Sequence, residues 1–157
     1  MAYYSGSAND MTAVRAALVA ACTAEDWGWD SSSEVLSKGV VFLRLSLSGG
    51  FLRLTGRTSS GAGDTPHNVQ IGPFTGWTGN PLPSLVWPVA YHIFVFEFEV
   101  YCVINYSVDC YQWCAFGLST VEGLAGTGMW LGATGSANTA YSQGLLINSN
   151  GGGDSFG

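Results

Sequence analysis

Two adjacent glycines at the centre of one segment constrain this chain more than any other feature. Val40-Val41-Phe42-Leu43-Arg44-Leu45-Ser46-Leu47 and Phe51-Leu52-Arg53-Leu54-Thr55 flank Ser48-Gly49-Gly50. Gly-Gly suits a two-residue hairpin turn because both positions accept positive φ without steric cost. The turn also sets the register, so that residue 48 faces 51, 46 faces 53 and 45 faces 54. Val41, Leu43, Leu45, Leu47, Leu52 and Leu54 then share one face. Phe42, Arg44, Ser46, Phe51, Arg53, Thr55 and Arg57 share the other. Alternation of this kind means one buried face and one semi-exposed face.

The leucine face needs a cover, and the sequence supplies one upstream. Met11, Val14, Leu18 and Ala21 with Cys22 recur at helical spacing, and Ser7 or Asp10 can cap their start. Ala13, Ala16, Ala17 and Ala20 raise helix propensity and permit close approach to a sheet. Gly28, between Trp27 and Trp29, is expected to stop the helix. Residues 58–84 hold four of the five prolines and read as a long connection in which only Val69-Gln70-Ile71 is strand-like. A three-strand meander follows, with strands at Tyr91–Phe96, Val100–Tyr106 and Tyr111–Phe116. Tyr91, Ile93 and Val95 fall on one of its faces, Phe94 and Phe96 on the other. Strands apolar on both sides belong inside a layered structure. The helix covers one side; a second sheet or another subunit must cover the other. Beyond Leu118, ten glycines in forty residues leave only Thr127–Leu131 and Gly144–Asn148 as short strand candidates.

The expected fold is therefore α+β and mainly β, with an N-terminal helix on antiparallel sheet (hairpin plus three-strand meander) and long Gly/Pro-rich loops. Residues 1–117 form the helix-plus-sheet domain, and 118–157 a Gly-rich C-terminal extension ordered by neighbours.

Charge is scarce and uneven. All five cations, Arg15, Lys38, Arg44, Arg53 and Arg57, lie in residues 1–57, and none follows. A hundred residues without Lys or Arg cannot neutralise a phosphate backbone, so no nucleic-acid partner is expected. Charged residues make up 10% of the chain, against the roughly 25–35% usual on an isolated soluble surface. Much of the surface is thus expected to be covered by other chains. The apolar stretch Ala13–Ala24 is short and interrupted by Arg15, so no membrane insertion is expected. Four cysteines in a chain of this length do not make a disulfide framework, and free thiols in a reducing cytoplasm are the expectation.

Residues that carry chemistry are few. His67 and His92 are the two histidines, and His92 lies among strand aromatics. Cys110 and Cys114 fall on one strand face without the electropositive helix start that activates a thiol or the paired ligands that zinc needs. The Gly126, Gly128, Gly132 run lacks the strand–turn–helix context of a nucleotide site. Glu97 and Glu99 read as solvated turn acids. No catalytic, cofactor-binding or metal-ligating residue is assigned, no cofactor is expected, and the chain does not read as an enzyme. Phe74, Trp77, Met129 and Trp130 are the candidate assembly or ligand contacts, because they lie in segments poor in charge and rich in Gly and Pro. Partner contacts are accordingly expected in residues 58–84 and 118–157, away from the hairpin.

One resemblance adds to this reading. The order helix, Trp27-Gly28-Trp29, Val35-Leu36-Ser37-Lys38-Gly39, strand pair and Tyr91…Phe94-Val95-Phe96 resembles small structural proteins encoded in the tail-gene region of tailed phages and prophages. Its strongest part is Val103-Ile104-Asn105-Tyr106-Ser107-Val108-Asp109, followed by Tyr111-Gln112-Trp113 and Ala115-Phe116-Gly117. The resemblance covers roughly residues 8–117 and brings no catalytic residues with it. It implies a virion structural subunit of the tail or baseplate, made in the host bacterial cytoplasm, whose partners are other virion proteins and copies of itself. The alternatives are a capsid decoration or neck protein and, from another class, a glycan-binding module for the host surface in which Phe74, Trp77 and Trp130 stack on sugars.

Overall fold

The inner-facing apolar residues of two antiparallel sheets and one helix meet in a single core. The computed structural model describes residues 1–61, 63–73, 85–108, 110–119, 128–134 and 146–147. In chain order the elements are β1 (Ala2–Ala8), α1 (Met11–Ala24), β2 (Gly28–Asp30), β3 (Val35–Lys38), β4 (Val41–Ser48) and β5 (Phe51–Arg57). Then come β6 (Asp64–Ile71), β7 (Val89–Val95), β8 (Glu99–Ser107), β9 (Cys110–Ser119), β10 (Gly128–Ala133) and β11 (Leu146–Ile147). One sheet has the order β1-β7-β8-β9-β10-β11, the other β2-β3-β4-β5-β6. The fold is α+β and mainly β.

The β4–β5 hairpin has the register that its turn dictates. Leu45 pairs with Leu54, Ser46 with Arg53 and Ser48 with Phe51. Gly49 and Gly50 take φ of 60° and 84° at the turn. Val41, Leu43, Leu45, Leu52 and Leu54 are fully buried, whereas Phe42, Arg44 and Arg53 are half-exposed on the other face. The β7–β8–β9 meander likewise has the expected order, each strand a little longer than its apolar run.

Helix α1 starts at an Asp10 cap, whose Oδ1 accepts the Ala13 N–H at 2.7 Å. It ends at Ala24, where the Glu25 N–H donates to the Cys22 carbonyl and Asp26 takes a positive φ. Lys38 donates to the Glu25 carbonyl at 2.8 Å, placing a cation at the negative end of the helix. Gly28 is therefore not the stop: it opens strand β2, paired with Ser37. The buried stripe Met11, Val14, Leu18, Ala21 and Cys22 is the one set by helical periodicity. The helix touches β4 and β5 of one sheet and β1 and β7 of the other, so it lies between the sheets. Away from the helix, β6 packs directly on β9 and β10.

A buried polar clamp closes that side. Gln112 on β9 accepts the Gly72 N–H at 2.8 Å and donates to the Gly72 carbonyl at 2.7 Å. One side-chain amide thus satisfies both backbone groups at the end of β6.

Strands β1, β2 and β3 escape the sequence reading, which also captures only the end of β6. Strand β1, with its Tyr-Tyr-Ser-Gly-Ser run, lacks alternating hydrophobicity but pairs with β7 along its whole length. Its Gly6 sits beneath the Tyr91 ring, and a Cβ there would meet the phenol and force that side chain to shift. Strand β3 forms a short ladder with β4. Strand β6 runs from Asp64, not just over residues 69–71, and joins β5 through a bulge between Thr55 and Arg57. Strand β10 continues the sheet beyond β9, and the boundary expected at residue 117 falls inside β9.

Two expectations follow. Leu45→Asp buries an unpaired charge opposite Leu54, and urea unfolding should show a loss of about 3–5 kcal/mol. Gln112→Leu strands the Gly72 N–H and carbonyl at about 1–3 kcal/mol for each group, with Gln112→Glu recovering only the bond from the N–H.

Candidate functional site

The outer face of the six-stranded sheet is where the unusual chemistry collects. Alternation fixes which residues face outward: Tyr3, Ser5 and Ser7 on β1, and Ala90, His92 and Phe94 on β7. Glu99, Tyr101, Val103 and Asn105 follow on β8, then Tyr111, Trp113, Ala115 and Gly117 on β9. Trp130 and Gly132 complete the face on β10. The opposite residues, Val89, Ile93, Val100, Cys102, Ile104, Cys114, Phe116 and Leu131, are buried in the core. The helix and the second sheet both lie on that inner side, and no described helix or strand packs on the outer one.

The outward rings form two groups, brought side by side where Phe94 pairs with Tyr101 across β7 and β8. Tyr3 lies 5.1 Å from Phe94, centroid to centroid, and stacks on His92 at 6.0 Å. The Tyr3 hydroxyl and His92 Nδ1 are hydrogen-bonded at 2.7 Å. Phe96 meets Tyr101 edge-on at 5.9 Å, and Tyr101 meets Trp130 at 6.1 Å. Tyr101 donates to Glu99 at 3.2 Å. Burial among these rings, then the Glu99 carboxylate, raises the Tyr101 phenol above its ordinary value. Tyr3 and Tyr111 remain about half exposed, at 51% and 54%, and Phe96 is 38% exposed. Ala115 and Gly132 face outward yet are buried, as small residues among large rings are. Glu99 is the only carboxylate on this face among the described residues, which carry no Lys or Arg there. It is an amphipathic, nearly uncharged platform, suited to contact with another surface or a ring-shaped ligand.

The five-stranded sheet presents the opposite chemistry. Arg44 pairs with Asp64 at 2.8 Å and approaches Glu34 at 3.8 Å, and Arg57 approaches Asp64 at 3.5 Å. Arg15 of the helix pairs with Glu34 and donates to the Leu45 carbonyl. These cations are engaged within the chain.

The candidate contact residues divide. Met129 and Trp130 are consecutive on β10 and so point to opposite sides. Met129 packs against the core, and Trp130 joins the outer rings. Phe74 and Trp77 lie outside the described residues. His92 is a surface histidine held by Tyr3, and Glu99 opens β8 beside the turn that contains Glu97.

Sequence spacing does not reveal one cluster, because its members come from different elements. Cys22 of α1 and the cross-strand pair Cys102 and Cys114 lie together in the core. A hydrogen bond with Cys102, with burial, pushes the Cys114 thiol up, and burial does the same to Cys22. Thiols held protonated neither attack nor ligate, and no group able to hold a metal ion occurs among the described residues. The cluster packs as small hydrophobes. Compared with family models, curated proteins and solved structures, the chain matches none of them. A thiol reagent should modify Cys110 alone in the folded protein and all four cysteines in denaturant, as read by absorbance and peptide mass.

Proposed function

We propose that this chain is a non-enzymatic structural subunit of a tailed-phage virion, built into the tail or baseplate, with the outer face of its six-stranded sheet as an assembly surface. The observation that carries the assembly reading is the ring set Tyr3, His92, Phe94, Phe96, Tyr101 and Trp130, on a face where no described helix or strand packs and Glu99 is the one carboxylate among the described residues. Connected apolar patches of this kind on a soluble chain mark interaction sites. The neutral face favours docking by burial of aromatic area, with little dependence on salt. Support for the phage setting is the resemblance of residues 8–117 to tail-region structural proteins. A capsid decoration or neck position uses the same surface.

A second reading follows from the outward Trp130 beside Tyr101 and Glu99. Exposed rings next to a carboxylate and tyrosine hydroxyls suit a sugar ring, which stacks by its apolar face and bonds at its edge. Glycan arrays probed with the free chain separate this reading from assembly.

Trp130→Ala and Tyr101→Ala should leave circular dichroism and the unfolding midpoint nearly unchanged while reducing incorporation into particles by about tenfold or more, since central aromatic anchors carry about 2 kcal/mol or more each. Labelled chain imaged in intact virions tests the location. Undiminished incorporation of both variants, or absence of the chain from purified particles, refutes the proposal. Filter binding at low salt should retain no DNA.

A further inference from the structure

One edge of the six-stranded sheet is built to be extended. Strand β1 is the end strand of its sheet, and the direction of its free backbone groups follows from the ladder beyond it. The Phe96 N–H donates to the Glu99 carbonyl, so Phe94, His92 and Ala90 direct their backbone groups toward β8. Val95, Ile93, Tyr91 and Val89 therefore bond to Ala2, Tyr4, Gly6 and Ala8. This leaves the N–H and carbonyl groups of Tyr3, Ser5 and Ser7 pointing away from the sheet. Among the described residues they have no hydrogen-bond partner. Tyr3, Ser5, Gly6 and Ser7 are exposed.

Such edges are normally guarded by charge, proline, a bulge or shortness. The other edges have these guards: β2 spans three residues and β11 two, and β6 holds Pro66 and Asp64. Strand β1 has seven residues, no charge, no proline and an unbroken register with β7.

We propose that β1 pairs antiparallel with β1 of a second copy of this chain about a twofold axis at Ser5, joining the two six-stranded sheets into one. This rests on the assembly reading and names its partner and geometry. In this register Ser5 faces Ser5 of the second copy, and Tyr3 faces Ser7. These are the residues whose backbone groups are free, so the three facing pairs exchange about six hydrogen bonds. Any shift of the register along the strand gives up some of them. The pairing sets a large side chain against a small one at both ends. It also brings no like charges together, because residues 2–8 carry none. Tyr3, Ser5 and Ser7 all lie on the outer side, so the two aromatic faces become continuous across the junction. The interface is isologous, as a closed dimer requires.

Sedimentation and native mass spectrometry of the full chain at micromolar concentration should show a concentration-dependent dimer. Hydrogen exchange should then slow at the amides of Tyr3, Ser5 and Ser7. Ser5→Pro removes an N–H that faces the free edge and leaves the β1–β7 ladder intact, so the fold should persist while dimer affinity falls by more than about tenfold. Ser5→Lys sets two cations against each other on the axis and should weaken the dimer in a way that added salt relieves. A dimer that survives Ser5→Pro, with the three amides exchanging as in the monomer, overturns the β1 pairing but leaves assembly through the aromatic face standing. A chain that stays monomeric to about 100 μM, with those amides unprotected, overturns the pairing as well. Incorporation into particles then decides the broader reading separately. Should Ser5→Pro fail to fold, exchange at the three amides of the unmodified chain decides the outcome.

Discussion

The spacing between the two sheets changes from one side of the molecule to the other, and every other feature adapts to that. Where β6 meets β9 and β10 the sheets touch directly, whereas at β1 and β7 a helix about 10 Å thick is interposed. The narrow side is closed by Gln112 gripping both backbone groups of Gly72. The wide side is filled by α1, whose alanines keep it slim and whose Leu18 and Val14 reach into the core. The helix cannot leave without exposing the inner faces of both sheets. It is accordingly anchored at both ends, by the Asp10 cap and by Lys38 on the Glu25 carbonyl, with Arg15 bridging to Glu34 between.

How much of this was legible in the sequence depends on whether local signals decide the structure. The β4–β5 register was legible because Gly49-Gly50 leaves one turn geometry, and the buried stripe of α1 because its period is unambiguous. Strand β1 was not, since a Tyr-Tyr-Ser-Gly-Ser segment has no alternation and becomes a strand only when β7 offers a ladder and Tyr91 covers Gly6. Most of β6 is hidden in the same way, its Pro66 arguing against a strand that pairing with β5 nevertheless imposes. The two-sided apolarity of the meander was evident from Phe94 and Phe96. Which side faces outward was not, because that depends on the helix and the second sheet sharing one side. The inward turn of Met129 beside an outward Trp130 needed only the strand assignment.

The division of charge along the chain becomes a division between sheets. The five-stranded sheet is built from residues 28–71 and holds Arg44, Arg53 and Arg57, of which Arg44 and Arg57 pair with Asp64 and Arg44 also approaches Glu34. The six-stranded sheet takes β1 and the strands β7–β11, and no Lys or Arg occurs from Val89 onward. On the outer surface of the five-stranded sheet, Arg44 and Arg57 converge on Asp64 beside the buried Thr55 and Gln70. The other outer surface, among the described residues, consists of rings with one carboxylate. A partner approaching the charged side must desolvate ions already paired within the chain. A partner approaching the aromatic side releases water from apolar area and meets almost no charge.

This asymmetry bears on where contact energy resides. Loops that order only on binding cost about 1–2 kcal/mol for each fixed residue, and that cost is subtracted from affinity. The rings of Tyr3, Phe94, Tyr101 and Trp130 stand on paired strands and pack on one another before any partner arrives. Their ordering belongs to folding, so their burial contributes to binding nearly in full. The same holds for the free groups of Tyr3, Ser5 and Ser7, which the β7 ladder already holds in extended geometry. A rigid sheet offering both a preformed face and a preformed edge can grow in two directions, outward from the face and sideways from the edge.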